Sequence, residues 1–184
     1  MIPLPEPLAE AWEAEWQPVG TAALAGVSLS LLLLAVLAIR SDQGWIPLLD
    51  GVNLVFHEAG HPLFGLLGWE ALTILGGTLM QLLVPTVAAT SFWLRRDAVG
   101  ATVTGIWVFE NLLNIARYVA DARAQALPLV GGGEHDWATL LGRWGLLAQD
   151  TTLARGLQSL GWLGMVGCWA WLAWQWHRSR PEQA

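Results

Sequence analysis

The 184-residue sequence has one cysteine, no lysine and few charged residues of any kind. The single cysteine, Cys168, excludes a disulfide within the chain and argues against a zinc site built from cysteines. Any metal must therefore be held by histidine and carboxylate. Charged residues make up 13% of the chain and hydrophobic residues 54%, whereas a soluble domain has roughly 25% charged residues. This composition predicts a polytopic membrane protein.

A positively charged N-terminal region is also missing. The first sixteen residues contain four glutamates and no basic residue, which is the opposite of what a secretory signal requires, so we expect no cleaved signal. Trp12 and Trp16 favour an acidic segment, residues 1–18, that lies at the membrane surface. A solvated acidic tail is the alternative.

Long uncharged stretches predict an all-α membrane helix bundle with about five transmembrane helices, forming a single integral membrane domain over residues 1–184. A span needs about 20 apolar residues. The predicted spans, in chain order, are residues 19–39, 50–67, 71–94, 98–121 and 156–176. Residues 121–150 form the longest polar connection, a glycine-rich loop that includes Gly131-Gly132-Gly133.

The second predicted span contains the sequence His57-Glu58-Ala59-Gly60-His61. On a helix the two histidines of an H-E-x-x-H motif lie one turn apart on one face and can share a Zn²⁺ ion, while the glutamate acts as general base. Ionisable side chains within a membrane are costly and indicate a functional site. The motif therefore predicts His57 and His61 as zinc ligands and Glu58 as the catalytic residue.

A catalytic zinc site normally has three protein ligands, and the motif supplies two. Histidine is the commonest zinc ligand, and a flexible run of glycines precedes Glu134-His135-Asp136, so we predict His135 as the third ligand. Asp136, Glu110 and Asp121 are also candidates for this position. Glu110 lies on a polar stripe of the fourth span, at a depth similar to that of His57 in its own span.

Arginine positions predict the orientation. With the N-terminus outside and the C-terminus in the cytoplasm, five arginines fall on the cytoplasmic side, as the positive-inside rule prefers: Arg40, Arg95, Arg96, Arg178 and Arg180. The 121–150 loop then lies outside. The predicted location is the plasma membrane of a bacterium.

The HEAGH helix, followed by Gly65 and Gly68 and by a Gly76-Gly77 pair on the next span, resembles the site-2 type of intramembrane zinc metalloprotease. The resemblance covers about residues 50–85. It implies hydrolysis of a peptide bond in or near the bilayer, with a membrane protein or peptide as substrate. That family takes an aspartate ligand from an Asn-Pro-x-x-Asp-Gly type motif on a later helix, and this sequence lacks the motif.

Two further functions are compatible with the same residues. A zinc-dependent membrane hydrolase acting on a lipid or small amphiphile would also need Glu58, whereas a non-enzymatic metal-binding membrane protein would keep the histidines without depending on that carboxylate. The lipid bilayer is an expected partner in every case. We expect no nucleic-acid partner.

Overall fold

The structure is a computed structural model that describes residues 14–41, 44–130 and 133–180. The prediction for the N-terminal segment falls mostly outside these residues. The described chain forms six α-helices and one short 3-10 helix, and it contains no strand. The helices are α1 (Thr21–Arg40), α2 (Leu49–Gly65), α3 (Glu70–Leu94), α4 (Ala98–Ala120), α5 (Asp136–Arg143) and α6 (Asp150–Arg178), with the 3-10 turn at Leu147–Gln149.

Three helices, α1, α3 and α4, are long and apolar enough to cross a membrane. The all-α prediction is therefore confirmed, but the count of about five spans is not. The helix that carries the HEAGH motif, α2, has only 17 residues. The 121–150 segment is also not a plain loop, because α5 and the 3-10 turn form within it.

The beginning of α1 and the end of α6 lie at the same end of the bundle. The Gln17 amide donates to the Arg96 carbonyl over 2.9 Å, and the Val19 amide donates to Ser179 Oγ over 3.1 Å. We call this the tryptophan end, since Trp16 packs edge-on against Trp93 and Trp171 there. These contacts bring the chain just before α1 and the chain just after α6 to the same end of the bundle.

The other end of the bundle, which we call the loop end, carries the chain from Asp121 to Asp150. A groove at this end is lined by Ala38 and Gly44 together with Asp121 and Thr151, so α1 ends there. Arg40 therefore lies at the opposite end from the other four arginines used to predict the orientation. The five arginines therefore do not share one end of the bundle.

Helix α2 does not run from one end of the bundle to the other. Near its start, Asn53 bonds to Glu110 and Trp107, in the middle of α4. One turn later, the His57 ring lies against Tyr118, near the end of α4. The chain thus leaves the loop end after α1, begins α2 at mid-depth, and returns to the loop end.

The backbone just before α2 is therefore irregular and lies inside the bundle, where each backbone polar group needs a hydrogen-bond partner. Asp50 provides one such partner, because its Oδ2 accepts a hydrogen bond of 2.6 Å from the Ile46 amide, and the residue is 1% exposed. The Arg117 guanidinium lies 5.0 Å from the centre of the Trp45 ring. The loop before α2 is therefore held by side chains of α2 and α4.

Helices α2 and α3 approach each other closely enough to exclude side chains at their crossing point. A Cβ atom on Gly76 would lie 2.8 Å from the Gly60 carbonyl oxygen, closer than real Cβ contacts. A Cβ atom on Gly77 would lie 2.6 Å from His57 Nε2. The glycine pair thus allows both the helix contact and the position of the first histidine.

Candidate metal centre

Helix α2 presents His57 and His61 on one face, as the motif predicts. The two imidazole rings are 4.9 Å apart between centroids and nearly perpendicular, with an interplanar angle of 80°. His57 is 7% exposed and His61 is partly exposed. The pair therefore lies on the face of α2 that packs into the bundle rather than on its outer surface.

Both histidines are held through Nδ1, which leaves Nε2 as the atom that can bind a metal. His61 Nδ1 lies 3.0 Å from the Thr73 carbonyl oxygen, an atom that can only accept a hydrogen bond, so Nδ1 carries the proton. His57 Nδ1 lies 3.2 Å from Gln81 Oε1, and Gln81 Nε2 donates to Asn114 Oδ1. Such partners fix the tautomer and the ring orientation of a metal-binding histidine.

Asp136, the first residue of α5, places its carboxylate between the two imidazoles. Its Oδ2 lies 2.9 Å from His57 Nε2 and 3.4 Å from His61 Nε2. Burial raises the pKa of Asp136, but hydrogen bonds with the two histidines outweigh this effect and hold the pKa below its usual value. Asp136 is therefore ionised at neutral pH.

The three residues form a group that could hold a metal ion. Their ligand atoms all lie within 4.8 Å of one another, and neighbouring ligand atoms of a tetrahedral zinc ion are roughly 3.3 Å apart. Two unprotonated Nε2 atoms and a carboxylate oxygen repel one another unless a positive charge, a proton or a metal ion, lies among them. The donor set is thus suited to Zn²⁺.

His135, the third ligand predicted from the sequence, is not part of this group. Its Nδ1 accepts a hydrogen bond of 3.2 Å from the Ala138 amide and caps the start of α5, while its Nε2 lies 3.4 Å from Asp121 Oδ2. Burial lowers the pKa of His135. Its ring stacks on Tyr118 at a centroid distance of 4.1 Å. The structure brings the neighbouring Asp136 to the histidine pair instead.

Asp121 and Glu110, which the sequence also offers as ligands, have different partners. Asp121 accepts hydrogen bonds from the Ala126 and Leu127 amides, of 2.9 Å and 3.0 Å, and so shapes the turn after α4. Glu110 is 1% exposed and accepts a hydrogen bond of 2.9 Å from Asn53 Nδ2. Neither carboxylate belongs to the group formed by the two histidines and Asp136.

Glu58 and the three candidate ligands line one cavity of about 780 Å³. The wall also includes Tyr118 and apolar residues of α2, α3 and the segment after α4, namely Leu54, Ile74, Leu127, Leu129 and Val130. Glu58 is partly exposed. The cavity therefore joins a carboxylate, a candidate metal site and an apolar surface.

The residues that support the two histidines are not predicted from the sequence, although some of them leave a signal there. Gln81 is a polar side chain within an uncharged stretch, and Tyr118 follows the polar stripe of α4. Gly77 indicates close helix packing but not the position of a histidine. The Thr73 carbonyl gives no signal, because every residue has a backbone carbonyl and only the fold decides which one is near.

The chain matches no model of a known protein family, and comparisons with curated proteins and with solved structures found no significant match.

Proposed function

We propose that this protein is a membrane-embedded zinc metallopeptidase, with His57, His61 and Asp136 as metal ligands and Glu58 as general base. The observation that carries the proposal is the approach of Asp136 Oδ2 to both Nε2 atoms, at 2.9 Å and 3.4 Å. Two histidines from an H-E-x-x-H helix and one carboxylate make up a common ligand set of catalytic zinc. The resemblance to site-2 type proteases points the same way.

The chemistry divides between the ion and the chain. A bound zinc ion would polarise the scissile carbonyl and lower the pKa of a water molecule. His57 and His61 orient their Nε2 atoms through the hydrogen bonds at Nδ1. Glu58 takes the proton that the attacking water loses and delivers it to the leaving nitrogen as the carbon–nitrogen bond breaks.

A peptide substrate is favoured by the chain segment that lines the cavity after α4. The amides of Leu129 and Val130 donate to no residue in the described part of the chain, and both residues line the cavity. Free backbone donors beside a site can pair with the backbone of an extended peptide. The apolar walls favour the second candidate, a small amphiphile, which needs no such pairing.

We also propose that α1, α3, α4 and α6 cross the bilayer, while α2 enters and leaves it from the loop end. Both chain termini would then lie on one side, and the cavity would open on the other. Irregular backbone at membrane depth is tolerated where protein covers it, and Asp50 and Trp45 supply contacts of that kind.

Zinc content and turnover of purified variants test the proposed function. The wild-type protein should hold one zinc ion, and His57→Ala and Asp136→Ala should lose it. Glu58→Gln should keep zinc and lose turnover of internally quenched peptides. His177→Ala is the matched control, because His177 lies at the far end of α6. Zinc retention in His57→Ala would rule out the site, whereas cleavage of ester-bearing amphiphiles without peptides would select the second candidate.

Impermeant maleimide labelling tests the topology in a Cys168→Ser background. Cysteines at Gly44 and Gly68 should be labelled from the same side of sealed vesicles, and a cysteine at Ser179 from the other side. Labelling of the cysteines at positions 44 and 68 from opposite sides would show that α2 spans the bilayer.

A further inference from the structure

The single tyrosine of the chain, Tyr118, lies beside the candidate metal centre in a fixed position. Its ring meets His57 edge-on, at a centroid distance of 5.8 Å and an angle of 74°, and it stacks on His135 at 4.1 Å. It is located on α4, one residue beyond Arg117 and far from the HEAGH motif in sequence. Tyr118 is neither a proposed metal ligand nor the proposed general base.

The phenol oxygen acts as an acceptor toward the loop end. The Asp136 amide donates to Tyr118 Oη over 3.2 Å. This amide belongs to the first turn of α5, whose N–H groups have no partner within the helix. The hydrogen bond thus ties the tyrosine to the same residue that supplies the third ligand.

The phenol proton of Tyr118 has no hydrogen-bond acceptor among the described residues. The interactions found there for Tyr118 are the hydrogen bond from the Asp136 amide and the ring contacts with His57 and His135. Tyr118 also lines the cavity that contains the candidate ligands and Glu58. An O–H group whose oxygen is already engaged by a donor can direct its proton toward a molecule in that cavity.

We propose that Tyr118 is a catalytic residue that donates a hydrogen bond to the substrate oxygen on which negative charge develops during hydrolysis. This inference rests on the proposed function. When water attacks, the carbonyl π electrons move onto that oxygen, and they return when the carbon–nitrogen bond breaks. Tyr118 keeps its proton throughout, and Glu58 carries the proton that is transferred.

A fixed donor is effective here because it needs no rearrangement as charge develops. The packing of Tyr118 between two imidazoles and the anchoring of its oxygen by the Asp136 amide provide that fixed position. Loss of one such donor lowers kcat by about 10²- to 10³-fold in well-studied cases. The metal ligands would remain in place.

The test uses the cobalt-substituted full-length protein in detergent and acetohydroxamate as the probe, because this ligand presents an anionic oxygen to a metal without requiring the natural substrate. Tyr118→Phe should retain cobalt and its visible spectrum, and should bind acetohydroxamate about 10- to 100-fold more weakly. Thr139→Val is the matched control, since it removes another hydroxyl from the cavity wall. The control should bind the probe as the wild type does.

Each remaining outcome has a distinct meaning. Unchanged acetohydroxamate affinity in Tyr118→Phe overturns the assigned role and leaves the metal site standing. Loss of cobalt in Tyr118→Phe also overturns it, because the tyrosine would then only position Asp136. If the wild-type protein takes up no cobalt, the proposed function fails together with this role. With a cleaved peptide in hand, Tyr118→Phe should lower kcat while leaving KM close to the wild-type value.

Discussion

Gly77→Ala should remove zinc from this protein without unfolding it. The added Cβ atom would lie 2.6 Å from His57 Nε2, 2.7 Å from Cε1 and 2.8 Å from Cδ2. Ordinary contact begins near 3.4 Å, so the imidazole would have to move by roughly 0.8 Å. Bond lengths at a metal site vary by only about 0.2 Å.

The same displacement would weaken the hydrogen bond that orients the ring. His57 Nδ1 already lies 3.2 Å from Gln81 Oε1, and a shift of this size carries it beyond hydrogen-bond distance. Loss of such a partner alone lowers metal affinity by about 10- to 100-fold. With Nε2 displaced as well, we expect zinc affinity to fall on the order of 100-fold or more.

Competition with a chromophoric chelator measures this affinity, and circular dichroism with gel filtration checks the fold. Gly65→Ala is the matched control, since its Cβ would lie 3.4 Å from Thr73 Cγ2, at the same interface between α2 and α3 but at ordinary contact distance. The control should bind zinc normally. If Gly77→Ala binds zinc as tightly as the wild type, then His57 does not hold the metal in the geometry described above.

Four further substitutions test individual contacts. Asp136→Asn should lose most of its zinc, whereas His135→Asn should retain zinc and only have a lower thermal unfolding midpoint. Zinc loss in His135→Asn but not in Asp136→Asn would favour His135 as the ligand. Gln81→Leu should lower zinc affinity by about 10- to 100-fold in chelator competition, and an unchanged affinity would contradict the support assigned to it. Asp150 precedes the predicted 156–176 span, and its hydrogen bonds with Arg123 hold the pKa of Asp150 below its usual value. That stabilisation is complete above the unfolded-state pKa of about 3.9 and is lost as the pH falls through the lower folded-state pKa. Asp150→Asn should therefore lower the unfolding midpoint at pH 7, with the difference vanishing in acid, and a difference that persists in acid would refute this role.

Local sequence patterns were sufficient to predict the helical face of the motif and the close packing of the next helix. The spacing of His57 and His61 requires only helical geometry, and the Gly76-Gly77 pair indicates a close neighbour. Both features depend on residues near one another in the chain. For this reason they could be predicted before any tertiary contact was known.

Which residue lies beside the histidine pair depends on how a distant helix begins. His135 and Asp136 are adjacent, and the sequence offers both to the site. The structure separates them because residue 135 caps α5, with its Nδ1 turned back toward the Ala138 amide, while residue 136 begins the helix and faces α2. Histidine is not a preferred capping residue, so the cap gave no recognisable signal in the sequence.

The depth of Glu110 does not bring it to the histidine pair, for a different physical reason. Glu110 lies near the middle of α4, as expected. It would lie level with His57 only if α2 also began at one end of the bundle. Because α2 begins at mid-depth, Asn53 rather than His57 meets Glu110. His57 instead lies beside Tyr118, which is two helical turns beyond Glu110 on α4. An apolar segment of 17 residues has the composition of a short span whether it crosses the bundle or turns back. Only tertiary contacts, such as those of Asn53 with Glu110 and of Trp45 with Arg117, distinguish the two arrangements.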